Sequence, residues 1–274
     1  MSASRTQLPS ALETVRAELR DGVLHLTLNR PATRNAMSLQ MVEELQTCFR
    51  AVAEDQQVRA IVLRGADGHF CAGGDVKDMA GARARLGSTR DDPFATLNRA
   101  FGHLLEQVEH SPQVVIAVLE GAVLGGGFGL ACVSDVALAM ADARFGLPET
   151  SLGIIPAQIA PFVVRRIGLT QTRRLALLGA RFDGREAHRL GLVHDVHADL
   201  ASLDAALAQT LDQLHQCAPR ANAVTKALLL RVGQEPLSPL LDEAAQAFAQ
   251  AIQGAEGQEG TLAFIQKRKP QWAQ

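Results

Sequence analysis

Apolar and polar positions follow two periods along the first half of the chain, and these periods predict strands and helices. Residues 15–19 and 23–28 alternate on either side of Asp21-Gly22, which predicts a hairpin. Apolar residues then recur at helical spacing from Met41 to Val52, so we predict a helix that begins after Ser38 and ends near Glu54. Short apolar runs over 60–64, 114–119 and 136–141 predict buried strands.

The pattern of the second half separates an α/β region from a helical one. Further helices are expected after Pro93, over about 157–166 and over 169–178, and the alternation of strands with helices predicts an α/β fold. The polar stretch 77–92 lacks a clear period and indicates a mobile loop or an irregular helix. Beyond residue 200 helical spacing recurs over 201–217, 219–232 and 238–253, with no strand run. We predict a flexible tail over 1–12, an α/β core over 13–200 and a helical C-terminal subdomain over 201–274.

Composition excludes several classes of function. The 274 residues are 47% hydrophobic with a formal net charge of −2, which favours a globular protein and gives no electrostatic basis for binding nucleic acid. The four cysteines follow no metal-ligand or disulfide spacing, so no metal site is expected. No apolar run is long enough to span a membrane and the N-terminus lacks the pattern of a secretory signal. A cytoplasmic location is therefore expected.

Two glycine turns are the strongest chemical signal. The apolar run 114–119 leads through Gly121 into Gly125-Gly126-Gly127, at the mouth of a predicted helix. Each glycine costs a helix about 1 kcal/mol relative to alanine, so a ligand that needs bare backbone N–H groups is the expected reason. The segment 70–75, Phe-Cys-Ala-Gly-Gly-Asp, forms a second such turn after another strand. Two turns of this kind can direct two N–H groups at one oxygen.

One acidic residue also stands out. Glu149 lies in Phe-Gly-Leu-Pro-Glu, next to an apolar stretch that ends at Pro156. A carboxyl among such neighbours loses hydration, which favours its neutral form and suits proton transfer. The alternative is an ordinary solvated loop glutamate. The usual nucleotide-binding and nucleophile-elbow motifs are absent.

Seven short motifs occur in an order that resembles one family. They are Leu28-Asn29-Arg30-Pro31 with Arg34-Asn35-Ala36, the turn 70–77, the segment 121–127 with Ser134-Asp135, Phe145-Gly146-x-Pro148-Glu149, Leu152-Gly153-x-x-Pro156, the segment 187–193 and the segment 259–269. Together they resemble the crotonase, or enoyl-CoA hydratase/isomerase, superfamily from residue 28 to residue 269. The resemblance implies a core of repeated ββα units and trimers that pair into hexamers.

The resemblance also implies roles for individual residues. The N–H groups of Gly74 and Gly126 would hold the thioester oxygen of an acyl-CoA, and Glu149 would be the acid–base group. The coenzyme A portion belongs to the substrate, so no separate cofactor is expected. Its implied contacts are Arg34, Ala36, Ala72, Asp75 and Val76, with Phe264 and Lys267 reaching the coenzyme A of a neighbouring subunit. Core packing for Phe264 and a solvated charge for Lys267 are the alternatives.

The chain departs from this family at one position. Hydratases of the family commonly use two glutamates, and Gly129 occupies the position of the first. Three functions stay open: a hydratase that relies on Glu149 alone, an isomerase that moves a proton between two carbons, and an acyl-CoA binder without turnover.

The sequence around that departure favours the hydratase. Gly129 together with residues 156–164 resembles the bacterial branch that handles 3-methylglutaconyl-CoA and isohexenylglutaconyl-CoA. Both substrates carry a second carboxylate, which a basic side chain of the polar stretch could meet; the candidates are Lys77, Arg83, Arg85 and Arg90. We also expect a glutamate to fit sterically at position 129.

Overall fold

Two β-sheets and the helices around them make up the structure, a computed structural model that describes residues 7–84, 86–87 and 91–274. The strands are β1 (Val15–Arg20), β2 (Val23–Leu28), β3 (Ala60–Gly65), β4 (Val114–Leu119), β5 (Ala122–Leu124), β6 (Val136–Met140), β7 (Arg144–Gly146), β8 (Arg181–Phe182) and β9 (Asp195–His197). The helices are α1 (Leu39–Val52), α2 (Val76–Ala84), α3 (Pro93–Glu109), α4 (Gly126–Val133), α5 (Ala160–Leu177), α6 (Gly184–Arg189), α7 (Leu200–His215), α8 (Pro219–Arg231), α9 (Leu237–Gln253) and α10 (Ala255–Ile265). The predicted α/β fold is confirmed.

The large sheet has the order β1-β2-β3-β4-β6-β9. Its first two strands form the predicted antiparallel hairpin, and the other neighbours are parallel. Asp21 and Gly22 both have positive φ, 50° and 70°, as a two-residue hairpin turn of the favoured hand requires. The small sheet has the order β5-β7-β8.

The ββα unit recurs, and it positions three short segments side by side. β4 leads to β5 and then to α4, while β6 leads to β7, a turn of 3-10 helix over Glu149–Leu152 and then α5. β3 leads to Cys71, which forms a parallel bridge with Val123 of β5 before α2 begins. Since β5 also pairs in parallel with β7, the chain leaves all three segments at the same edge.

The core occupies both faces of the large sheet. On one face the sheet packs against helices such as α1 and α4. The buried rings of Phe128 and Phe145 pack edge to face there, with their centroids 6.3 Å apart. On the other face Leu203 and Leu214 of α7 pack against strand residues such as Val62. Because α7 covers the sheet directly, it contributes to the core; the division proposed at residue 200 stays a prediction.

Several elements differ from the predicted ones. The polar stretch contains a regular helix, α2. The two helices expected over 157–178 are present as the two parts of α5, which begins at Ala160 and has a kink where Gly168 takes non-helical φ 78° and ψ 159°. The sequence did not reveal β8, β9, α6 or α10, because two- or three-residue strands and a glycine-containing helix carry little periodicity. None of the helices in the described part of the chain is both long and apolar enough to cross a membrane.

Candidate active site

Both glycine turns and Glu149 meet at the edge where the three parallel segments end. A Cβ built on Gly125 would lie 2.9 Å from Glu149 Oε1 and 3.4 Å from the Cα of Gly73. Gly125 has φ 48° and ψ −110°, a conformation that side chains rarely adopt. The turns that were predicted to act together are therefore adjacent, with the carboxyl group beside them.

The N–H of Gly74 is turned away from the neighbouring segment. Met37 N–H donates to Gly73 O at 2.8 Å, and Asp75 N–H donates to Met37 O at 3.0 Å. Met37 therefore bonds to the residues before and after Gly74. In such a parallel pairing the residue in between, Gly74, directs its own N–H away from Met37. Gly74 is exposed, so a ligand can reach this donor.

The N–H of Gly126 is a second available donor. Gly126 is the first residue of α4, where Gly125 N–H donates to Gly146 O at 3.1 Å and Gly129 N–H donates to Gly125 O at 3.0 Å. The N–H of Gly126 therefore precedes the first intrahelical bond and lies at the positive end of the helix dipole. Such an end favours an oxygen that gains negative charge.

Apolar side chains surround the two donors. A Cβ on Gly126 would meet the ring of Phe101 at 3.3 Å and Met37 Cβ at 3.7 Å. A Cβ on Gly74 would meet Met79 Cε at 3.2 Å. Apolar walls exclude water and strengthen hydrogen bonds to a charged oxygen. The sequence analysis did not identify these wall residues, because nothing in their local pattern distinguishes them from core residues.

Glu149 has the environment of a proton-transfer group. Its Oε2 is buried and has no hydrogen-bond partner among the described residues. Burial raises the pKa of Glu149 above its usual range, although the hydrogen bond from its own backbone N–H acts in the opposite direction. The 3-10 helix that carries it is held in place by the hydroxyl of Thr150, which donates to Ala176 O at 2.7 Å.

The position of the missing first glutamate is filled by apolar atoms. A Cβ on Gly129 would lie 3.3 and 3.4 Å from two carbons of Ile159 and 3.4 Å from Leu105 Cδ1. These contacts are tight, so a glutamate fits there only if the side chains of Ile159 and Leu105 move by a few tenths of an ångström, and the expectation that it fits stays a prediction.

The predicted coenzyme A contacts lie close to the first turn. Ala72 N–H donates to Arg34 O at 3.0 Å, so the loop of Arg34 and Ala36 borders the turn. Arg34 is exposed, and Val76, at the start of α2, is 74% exposed. These residues lie near Gly74 along the chain or through that hydrogen bond, and their contact with coenzyme A stays a prediction.

Asp75 is placed near this surface but is directed inward. Its carboxylate is only 6% exposed and forms an ion pair with Arg30 at 2.5 Å, while Lys77 N–H donates to it at 2.7 Å. Burial alone would raise the pKa of Asp75, but the hydrogen bonds and the positive charge of Arg30 outweigh it and lower the pKa. The structure thus shows Asp75 anchoring the turn.

The remaining candidates that the structure describes lie on α2 or at the end of α10. Lys77 and Arg83 belong to α2, while Arg85 and Arg90 lie outside the described residues. Phe264 is 84% exposed at the end of α10, and Lys267 follows it, also exposed. Their contact with a neighbouring subunit stays a prediction.

Comparison with known proteins adds a family and near relatives. The family model described as Enoyl-CoA hydratase/isomerase matches residues 18–274. The structure of Pseudomonas aeruginosa AtuE is similar at a TM-score of 0.93 and 67% identity, covering 96% of this chain and 100% of that one. An enoyl-CoA hydratase/isomerase from Marinobacter aquaeolei is similar at a TM-score of 0.93 and 61% identity, covering 95% of this chain and 99% of that one. The human mitochondrial methylglutaconyl-CoA hydratase is 32% identical over 260 residues, which are 92% of this chain and 74% of that protein.

Proposed function

The chain belongs to the enoyl-CoA hydratase/isomerase family. From that premise we propose that it adds water to the double bond of a branched, 3-methylglutaconyl-type acyl-CoA. The substrate is either 3-methylglutaconyl-CoA itself or its isoprenoid analogue, isohexenylglutaconyl-CoA. The chain is an enzyme, a hydro-lyase of the enoyl-CoA hydratase type. The observation that carries the proposal is the meeting of Gly74, Gly126 and Glu149 at one edge of the small sheet.

The two backbone donors stabilise the negative charge that the reaction creates. When hydroxide adds to the β-carbon, the electrons of the double bond move onto the thioester oxygen, which accepts the N–H groups of Gly74 and Gly126. Donors of this kind are worth about 3–4 kcal/mol each when one is removed from an enzyme. Glycine is suitable because a side chain at either position would obstruct the thioester.

Glu149 carries out both proton transfers. As a carboxylate it takes a proton from water, whose oxygen then bonds to the β-carbon. The protonated carboxyl group next gives that proton to the α-carbon, and the thioester carbonyl is restored. Because one residue serves both steps from one side, addition is syn. A raised pKa suits a group that must accept and release a proton near neutral pH.

The filled space at Gly129 supports a substrate with its own carboxylate. A second glutamate there would bring another negative charge towards the substrate's charge, and like charges at close range are unfavourable. Ile159 and the fully buried Leu105 instead fill the space next to Gly129 with apolar atoms. The substrate named for the human relative fits this interpretation. Lys77 and Arg83 are the described basic residues that we propose for the distal carboxylate.

The coenzyme A portion is proposed to lie along Arg34, Ala36, Ala72 and Val76, as part of the substrate and without a separate cofactor. We also propose a homotrimer or a hexamer, supported by apolar side chains that α9 and α10 expose, among them Phe248, Phe264 and Ile265. Sedimentation at micromolar concentration tests the assembly, and a stable monomer would contradict the cross-subunit contacts of Phe264 and Lys267.

The same single glutamate also supports a second candidate, an enoyl-CoA isomerase. Incubating the protein with 3-methylglutaconyl-CoA or crotonyl-CoA in ¹⁸O-labelled water, followed by mass analysis, separates the alternatives. Gain of labelled water supports the hydratase, and a shifted double bond without added mass supports the isomerase. Binding with neither product would indicate an acyl-CoA binder.

A further inference from the structure

A buried thiol lies between the two glycine turns. Cys71 is fully buried and precedes Gly74 by three residues. Its backbone is paired with the strand that leads to the other turn, since its N–H donates to Ala122 O at 2.8 Å and its O accepts from Leu124 N–H at 2.9 Å. Cys71 is thus the residue through which the first turn is joined to β5.

The side chain of Cys71 also contacts the second turn. A Cβ on Gly127 would lie 2.7 Å from Cys71 Cβ and 2.9 Å from Cys71 O, so only glycine allows this approach. The N–H of Gly127 points at the thiol, and Sγ lies 3.7 Å from Gly73 O. The thiol therefore touches the residue before Gly74 and the residue after Gly126.

The charge state of the thiol excludes a nucleophilic role. Burial raises the pKa of Cys71 to about 11, so the group is a neutral thiol near pH 7. A neutral thiol in this position acts through its volume and through weak hydrogen bonds.

We propose that Cys71 is a positioning residue of the oxyanion hole, whose side chain sets the separation between the N–H groups of Gly74 and Gly126. This inference rests on the proposed function, because the separation matters only if both donors hold one oxygen. The thiol occupies the space between two turns whose flexible glycines would otherwise permit other distances. Catalysis should then depend on the size of the side chain at position 71.

Three variants test this dependence. Cys71→Ala removes Sγ and Cys71→Val replaces it with two carbons, so both alter the spacing; each should lower kcat about 10- to 100-fold, as small misplacements of catalytic groups do, with KM changed less than about threefold. Cys71→Ser keeps one γ-atom and should retain most of kcat. Cys132→Ala is the matched control, because this buried cysteine lies at the far end of α4.

A spectroscopic measurement distinguishes a change in the spacing of the Gly74 and Gly126 N–H groups from a general loss of fold stability. Butanoyl-CoA with a ¹³C-labelled carbonyl cannot be hydrated, and two well-placed donors lower its carbonyl stretching frequency when it binds. The infrared difference spectrum should show this shift in the wild type, in Cys71→Ser and in Cys132→Ala, and a smaller shift in the alanine and valine variants at position 71. Thermal melting identifies any variant that fails to fold; if the larger valine side chain prevents folding, the alanine variant, which removes a single heavy atom, carries the test.

The outcomes are distinct. Folded Cys71→Ala and Cys71→Val proteins with wild-type kcat and an unchanged shift would overturn the inference while leaving the proposed function intact. The inference would equally fail if Cys132→Ala lost as much kcat as Cys71→Ala. A wild-type protein that turns over no enoyl-CoA would overturn both proposals.

Discussion

Replacing Glu149 with glutamine keeps the size of the side chain and removes its ability to exchange a proton. General acid–base catalysis by one group typically raises the reaction rate about 10²- to 10⁴-fold. In this site one carboxyl group is assigned to both proton transfers. We therefore expect Glu149→Gln to lower kcat by about 10⁴-fold. The Kd for butanoyl-CoA should stay within about threefold of the wild-type value, because the Gly74 and Gly126 donors are unchanged.

The same substitution should stabilise the fold at pH values above the ordinary pKa of the carboxyl group. The pKa of Glu149 is raised in the folded state, so the folded protein favours the protonated form. Below the ordinary pKa of 4.5 both states carry the proton and the two proteins should be equally stable. As the pH rises through the folded pKa, the wild type must ionise a buried carboxyl group and loses stability that the glutamine variant keeps. The difference in melting temperature should grow from pH 4 to pH 8.

Glu186→Gln is the matched control, because the pKa of Glu186 is shifted in the opposite direction from that of Glu149. Hydrogen bonds from Arg189, and also from Arg174, lower the pKa of Glu186 to about 2. Its charge therefore stabilises the fold above the unfolded pKa, and this contribution fades as the pH falls towards 2. The variant should melt slightly below the wild type at pH 7 and keep full activity. Our reasoning is refuted if Glu149→Gln retains activity, or if its melting temperature falls below that of the wild type as the pH is raised.

Three further substitutions test the surroundings. Gly126→Ala should lower kcat/KM about 10²- to 10³-fold by blocking the donor. Its melting temperature should stay close to that of the wild type, because the gain in helix propensity, up to about 1 kcal/mol, is offset by the tight contact of the new Cβ with the Phe101 ring. Gly129→Glu should lower the free energy of unfolding, measured by denaturant titration, by about 1–3 kcal/mol. Adding Ile159→Ala should recover that stability and raise the rate of crotonyl-CoA hydration. A single variant as stable as the wild type would contradict the tight packing around Gly129. Asp75→Asn should lower the free energy of unfolding at pH 7, measured by denaturant titration, by about 3 kcal/mol, because the ion pair with Arg30 is lost. This difference from the wild type should disappear as the pH falls through the lowered pKa of Asp75.

The sequence by itself determined the longer elements and the chemistry-bearing turns. Strand and helix periods are local, so β1, β2, α1 and most of the C-terminal helices could be located from apolar spacing. The glycine turns were visible because several glycines at the start of a helix are costly without a reason. Ordered motifs led to the family, which the comparisons confirm. Residues such as Gly74, Gly126 and Glu149 could be named before their positions were known.

Only the tertiary structure decided how these residues act on one another. The register of Cys71, β5 and β7 brings both turns and the glutamate together, and register joins residues that are distant in the chain. The burial of Glu149 Oε2, the inward direction of Asp75 and the filling of the Gly129 position by Ile159 depend on which atoms pack nearby. A local pattern records a residue's type and its backbone freedom. Burial, spacing between donors and pKa arise from contacts between separate segments, so they appear only when the chain is folded.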